Sequence, residues 1–183
     1  YSRALEETES FFWSAFTDNY LELVKKRTRT DEDPDGRASA IATLRTGLSV
    51  TMRLFAPFVP TITDEVWSWT FAEQTGKQSI HIADWPSDAE FEGIPDPNSN
   101  ASFAVACDAI AAVRKAKTDM GLGMGRPLAL LSLAGNADSL SVLSGVVSDV
   151  NDGANASGVD VIEGDVDGER FVATIESEVQ EET

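Results

Sequence analysis

"FFWSAFTDNYLELVKKR", residues 11–27, decides how this chain is read, because it sets a run of aromatics and a run of bases at opposite ends of one helix-length segment. Leu5, Phe12, Phe16, Tyr20 and Val24, with Trp13 and Leu23 flanking, recur near the 3.6-residue period, so the spacing predicts one amphipathic helix over about residues 3–28. The aromatics are its inward stripe. The bases Lys25, Lys26, Arg27 and Arg29 compensate the negative end of the helix dipole, and they also form a compact cationic patch. A solvated helix end and a phosphate contact are both open readings of that patch.

Outward from this helix, "TDEDPDG" (30–36) breaks the pattern with Pro34 and Gly36. A second helix is expected over 37–56, with Ile41, Leu44, Leu48, Met52 and Phe55 on one face and a stop at Pro57. Pro60 opens a third, with Asp64 and Glu65 near its positive end and Ile62, Val66, Trp67 and Phe71 toward the core. "SIHIADWP" (79–86) alternates like a short extended segment, and "SDAEFEGIPDPNSN" (87–100) reads as a linker. The expected first domain is therefore a helical bundle over 1–86.

Residues 101–183 start afresh. A helix is expected over 101–119, with Phe103, Ala106, Ile110 and Val113 inward and Arg114, Lys115 and Lys117 grouped at its exit, at least part of that cluster projecting into solvent; Arg126 returns close by after the turn "GLGMG" (121–125). "LALLSL" (128–133) is a buried strand, and Ala137–Val150 a helix capped by Asn136. "VDVIEG" (159–164) and "RFVATIE" (170–176) read as two strands joined by a hairpin turn at Asp167-Gly168. The fold class is mainly α, a helical bundle followed by a small α+β unit, with no internal repeats.

Composition bounds the chemistry. The 183 residues carry 31 Asp and Glu against 14 Lys and Arg, a net charge of -17, which opposes a polyanionic partner unless the bases are clustered. They are clustered, in the two groups named above. No apolar run approaches the ~20 residues that span a bilayer, and no basic segment precedes an apolar one, so a cytoplasmic protein without membrane attachment is expected. A lone cysteine, Cys107, and a lone histidine, His81, exclude an internal disulfide and argue against a zinc site. The first residue is Tyr, which suggests a piece of a longer chain.

For catalysis the inventory is thin. There is no phosphate-binding Gly-x-x-x-x-Gly-Lys-Ser/Thr loop and no nucleophile elbow, and "GLGMGRP" lacks the third glycine and the preceding strand of a dinucleotide loop. His81 reads as structural rather than as a base. Asn100-Ala-Ser and Asn155-Ala-Ser match the glycosylation pattern without a secretory context. No catalytic residue, metal ligand or cofactor site is expected in this chain.

The order of four segments carries a resemblance. "YSRALEETESFFWSAFTDNYLELVKKR", "LFAPFVPTITDEVWSW", "SIHIADWP" and "AVRKAKTDMGLGMGRPL" together resemble the C-terminal region of class I aminoacyl-tRNA synthetases of the valyl, isoleucyl and leucyl group, nearest to the valyl branch, over about residues 1–127. The last third is similar in element order only. The resemblance implies an anticodon-binding bundle, then a helix and an α/β unit that contact the anticodon stem. It implies tRNA as partner, no obligate protein partner, a monomeric parent enzyme, and ATP used only in a catalytic domain outside this chain. On that reading Lys25, Lys26, Arg27, Arg29, Arg114, Lys115, Lys117 and Arg126 are the tRNA contacts. The family's His-Ile-Gly-His and Lys-Met-Ser-Lys-Ser motifs are absent, and its Asn-Lys-Leu-Trp-Asn helix would precede residue 1, so a truncated bundle is expected. A helical protein-interaction module is the alternative of another class; a hydrolase with paired acids finds no pair of suitable spacing.

Overall fold

The computed structural model describes residues 1–94, 97, 99–164 and 166–177. Pro95, Asp96 and Asn98 of the expected linker, and 178–183 of the tail, lie outside the described residues. The opening run is helical but does not wind uniformly. Helix α1 (Ser2–Ser10) passes into a π-helix over Phe11–Leu21, then a single α turn, α2 (Glu22–Val24), and a 3₁₀ turn over Arg27–Arg29. The wider winding has side-chain partners along it: the Thr17 hydroxyl donates to the Trp13 carbonyl (3.0 Å), and Asn19 Nδ2 reaches the Ser14 carbonyl (2.7 Å). It also re-aims the aromatic stripe. Phe11 and Phe16, five apart, stack at 6.2 Å, Phe16 and Tyr20 at 6.5 Å, and Phe12 meets Phe55 edge-on at 5.6 Å.

The chain divides into two compact units, Tyr1–Leu21 with Asp31–Asp96, and Glu22–Thr30 with Pro97–Thr183. The expected opening helix therefore supplies both units, and residues 22–30 are not part of the first bundle.

In the first unit, α3 (Pro34–Phe55) starts earlier than expected, because Pro34 occupies its first turn and Asp33 caps it by accepting from the Gly36 N–H (2.9 Å). Pro34 and Gly36 thus open the helix instead of separating it from the first. Gly47 lets Phe16 close on α3, since a Cβ there would lie 2.5 Å from the Phe16 ring. Helix α4 (Pro60–Thr70) and the turn α5 (Ala72–Thr75) follow. Trp67, Phe71, Ala56, Ala72 and Ile80 make the core, with Leu48 and Met52 packed on it. Ile41 and Ile62, expected inward, are exposed.

"SIHIADWP" is not extended; Ile80–Ile82 form a 3₁₀ turn. Asp64 lies beyond the first turn of α4 and holds this turn, accepting from Ser79 Oγ (2.6 Å) and the Ile80 N–H (2.9 Å). Those two bonds keep its carboxyl below the usual carboxylate range. The first part of the expected linker is also built into this unit. Ser87 and Glu90 form a capping box on the 3₁₀ turn Asp88–Phe91, and the nearly buried Arg53 forks onto Glu90 (Nη1 to Oε1 2.9 Å) while donating to the Ser49 and Asp84 carbonyls.

The second unit is built on α6 (Ser102–Asp119) and a three-stranded sheet. Strand β1 (Leu128–Gly135) is central: β2 (Val159–Glu163) pairs with it in parallel, with Leu131 opposite Val159, and β3 (Phe171–Ser177) antiparallel, with Leu131 opposite Ile175. The expected hairpin does not form. Asp167 and Gly168 do make a positive-φ turn, but the chain then crosses to the far edge of β1. The expected helix over 137–150 is two helices, α7 (Ala137–Leu143), capped by Asn136 accepting from the Ser139 N–H (2.9 Å), and α8 (Val147–Ala154). Gly153 allows α8 to approach α2 and α6 closely: a Cβ there would meet Ile110 at 3.3 Å and Leu23 Cα at 3.6 Å. Among the described residues no helix is long and apolar enough to cross a membrane.

Candidate nucleic-acid interface

The two basic clusters lie in the same unit, because segment 22–30 packs with α6 and α8. Leu23 and Val24, each 3% exposed, are its apolar anchors. Two of its bases are anchors as well. Arg27 grips Asp149 through both Nε (3.0 Å to Oδ1) and Nη2, and Lys26 Nζ lies 2.6 Å from Asp152 Oδ1, both acids on α8. Lys25 pairs with Glu22 one turn back. Arg29 is exposed, with no side-chain partner among the described residues.

Lys25, Lys26, Arg29 and Arg114 line one groove of about 400 Å³, with Glu22 and Asp152 also on it. With Lys117 in its wall, five cations against two carboxylates leave a local positive excess within a chain of net charge -17. The opposite wall is the glycine-rich turn. Helix α6 ends in a Schellman arrangement, the Leu122 N–H bonding to the Lys117 carbonyl (2.8 Å) and the Gly121 N–H to that of Thr118 (2.9 Å), with Gly121 at φ +66. Asn155, itself left-handed at φ 56, donates from Nδ2 to the Gly125 carbonyl (3.0 Å) and ties the turn to the end of α8.

Lys117 corrects the expectation most sharply. It is 1% exposed, and its ammonium donates to the carbonyls of Met124 (2.8 Å), Arg126 (2.9 Å) and Ala154 (2.8 Å). Burial pushes its pKa down. All three ammonium protons are used internally, so Lys117 positions the groove wall and makes no phosphate contact. Lys115 is separated from the cluster as well. It faces a second groove of about 750 Å³ between α6 and β3, where it approaches Glu169 (3.8 Å) beside the Arg170–Asp108 pair (2.7 Å). Arg126 is half-buried and carries no ion pair among the described residues.

Sequence reasoning missed Asp149, Asp152, Gly125 and Asn155, which shape the groove; Asn155 drew notice only for its glycosylation-like context. The signal for Lys117 was present, since 117 continues the buried series 106, 110, 113 at helical spacing. Of the two residues with acid–base interest, Cys107 is partly buried, and burial raises its thiol pKa, which disfavours the reactive thiolate. His81 is exposed on its 3₁₀ turn.

A family model described as the anticodon-binding domain of tRNA ligase matches residues 1–132. Among curated relatives, the valine–tRNA ligase of Salinispora tropica is 39% identical over 180 residues, covering 90% of this chain and 20% of that protein. That of Thermobifida fusca is 48% identical over 124 residues, covering 68% of this chain and 13% of the relative. That of Methanothermobacter thermautotrophicus is 29% identical over 164 residues, covering 90% and 18%. The chain spans a fifth or less of the length of these relatives. With most of its length matched by that domain, the chain belongs to the anticodon-binding domain family of tRNA ligases.

Proposed function

We infer that this chain is the tRNA-binding region of a cytoplasmic valine–tRNA ligase, selecting tRNA(Val) and positioning it for aminoacylation by parts of the protein outside this chain. The observation that carries the reading is the concentration of cations on one groove of an otherwise acidic chain, within a family defined by anticodon binding. Phosphate contacts from Arg29, Lys25 and Arg114 would fix the register of the RNA, and base contacts would select it. The first unit offers exposed aromatic faces for unstacked bases, Trp13 (58% exposed), Trp69 (73%) and Trp85 (61%). The valine names of the relatives favour the valyl over the isoleucyl branch. ATP belongs to the remainder of such a ligase. The residues here do not fit it: His81, whose surroundings begin like a nucleotide-site signature, sits exposed on a 3₁₀ turn with no glycine-rich loop beside it.

The test is competition between tRNA(Val) and the same tRNA with its anticodon changed, for this chain at low ionic strength, where contacts between its clustered cations and phosphates are least screened by salt. The changed tRNA should bind about ten- to a hundredfold more weakly, the value of one or two lost base contacts. Equal affinity for both would remove anticodon selection from this chain.

A further inference from the structure

We propose that the groove between segment 22–30 and the glycine-rich turn of the second unit seats a single unstacked nucleotide of the bound tRNA, its phosphate among Lys25, Arg29 and Arg114 and its base against Met124 and Gly125. The proposal rests on the tRNA-binding reading and adds to it: backbone tracking alone needs only a charged rim, whereas here the rim encloses a volume.

Three observations support it. First, about 400 Å³ lies at the lower end of the range of clefts that enclose small ligands, and one side is cationic while Met124, 49% exposed, presents an apolar face on the other. Second, the wall is fixed before any ligand arrives. The carbonyls of Met124 and Arg126 are held by Lys117, and that of Gly125 by Asn155, so the turn does not have to be ordered on binding. Third, Gly125 lies on the groove lining with open space where a side chain would stand, whereas Gly123 of the same turn, equally open, is off the lining. The φ of Gly125 is not in the left-handed region and a Cβ would meet nothing within 4 Å, in contrast to Gly121, which the helix end requires. A lining position without a Cβ leaves room for close approach by something from outside.

The acids Glu22 and Asp152 restrict the ligand. Lying on the same groove, they oppose a compact polyanion such as a nucleoside triphosphate but tolerate one phosphodiester flanked by neutral base and sugar. Single-stranded or bulged RNA has that chemistry, with base faces suited to apolar contact and one charge per nucleotide.

The experiment uses tRNA(Val) transcript, this chain, Gly125→Leu and Arg29→Glu, with affinity, melting temperature and nucleotide-resolution 2′-hydroxyl acylation measured on each. Gly125→Leu should fold with unchanged melting temperature, bind about ten- to a hundredfold more weakly, and restore reactivity at one nucleotide protected by the original chain. Arg29→Glu, on an exposed side chain, provides a second route if the leucine perturbs the turn; it should lose protection at that nucleotide and reduce the salt slope by about one or more. If tRNA binds but both variants keep affinity and protection, the groove proposal is overturned while the tRNA-binding function stands. Absence of any binding by the original chain would overturn both.

Discussion

Lys117→Met should lower the stability of the second unit by about 3 kcal/mol, from the unsatisfied carbonyls of Met124, Arg126 and Ala154. Each buried acceptor that loses its donor costs ~1–3 kcal/mol, and release of the buried ammonium offsets part of the sum. Methionine keeps most of the stem, so packing loss is small. Chemical denaturation should show a lower midpoint in the transition of this unit. An unchanged midpoint, with tRNA binding reduced only through its salt slope, would return Lys117 to the phosphate-contact role that its charge first suggests.

Arg53→Met should destabilise the first unit by about 2–3 kcal/mol, because the 7% exposed guanidinium bridges α3 to the Asp84 carbonyl and to Glu90. The same change carries a pH signature. Arg53 is the largest cause holding the Glu90 carboxyl below its usual range, with the Ser87 N–H adding to it. A carboxyl whose pKa is lower in the folded than in the unfolded state stabilises the fold above the unfolded value, near 4.5, and that contribution disappears as pH falls through the folded value. Stability of the original first unit should therefore fall as the pH drops below about 5, with Asp64 contributing in the same direction. In Arg53→Met the loss over that window should be smaller. An identical acid limb in both proteins would show that the Arg53–Glu90 pair contributes nothing to it.

How much of this was legible depended on whether the controlling interaction was local. The stop of α3 at Pro57, the Asn136 cap and the buried series on α6 follow from local rules, and they appear where the sequence placed them. The sheet order does not. Asp167-Gly168 gives a true turn signal, but pairing is decided by the centre of the sheet, and the apolar run of β1 marks a strand buried by neighbours on both edges. The π-winding of Phe11–Leu21 conceals itself behind an ordinary α period, since Phe16 belongs both to the four-spaced series Phe12, Phe16, Tyr20 and to the five-spaced pair Phe11, Phe16. The cationic site was legible by residue type and only partly by role. Clusters far apart in sequence converge, yet Arg27 and Lys26 pair with Asp149 and Asp152, acids that nothing local relates to them.

The central claim, that a strongly acidic chain binds tRNA through a few local cations, is tested most directly by the salt dependence of tRNA binding, compared between this chain and the double variant Lys25→Glu, Arg29→Glu, both exposed on the groove. Affinity should fall linearly on a log–log plot, with a slope of about -2 to -3 for three or four phosphate contacts, and the double variant should be shallower by about two units with its melting temperature unchanged. A slope near zero, or one that the double variant leaves untouched, would contradict the account.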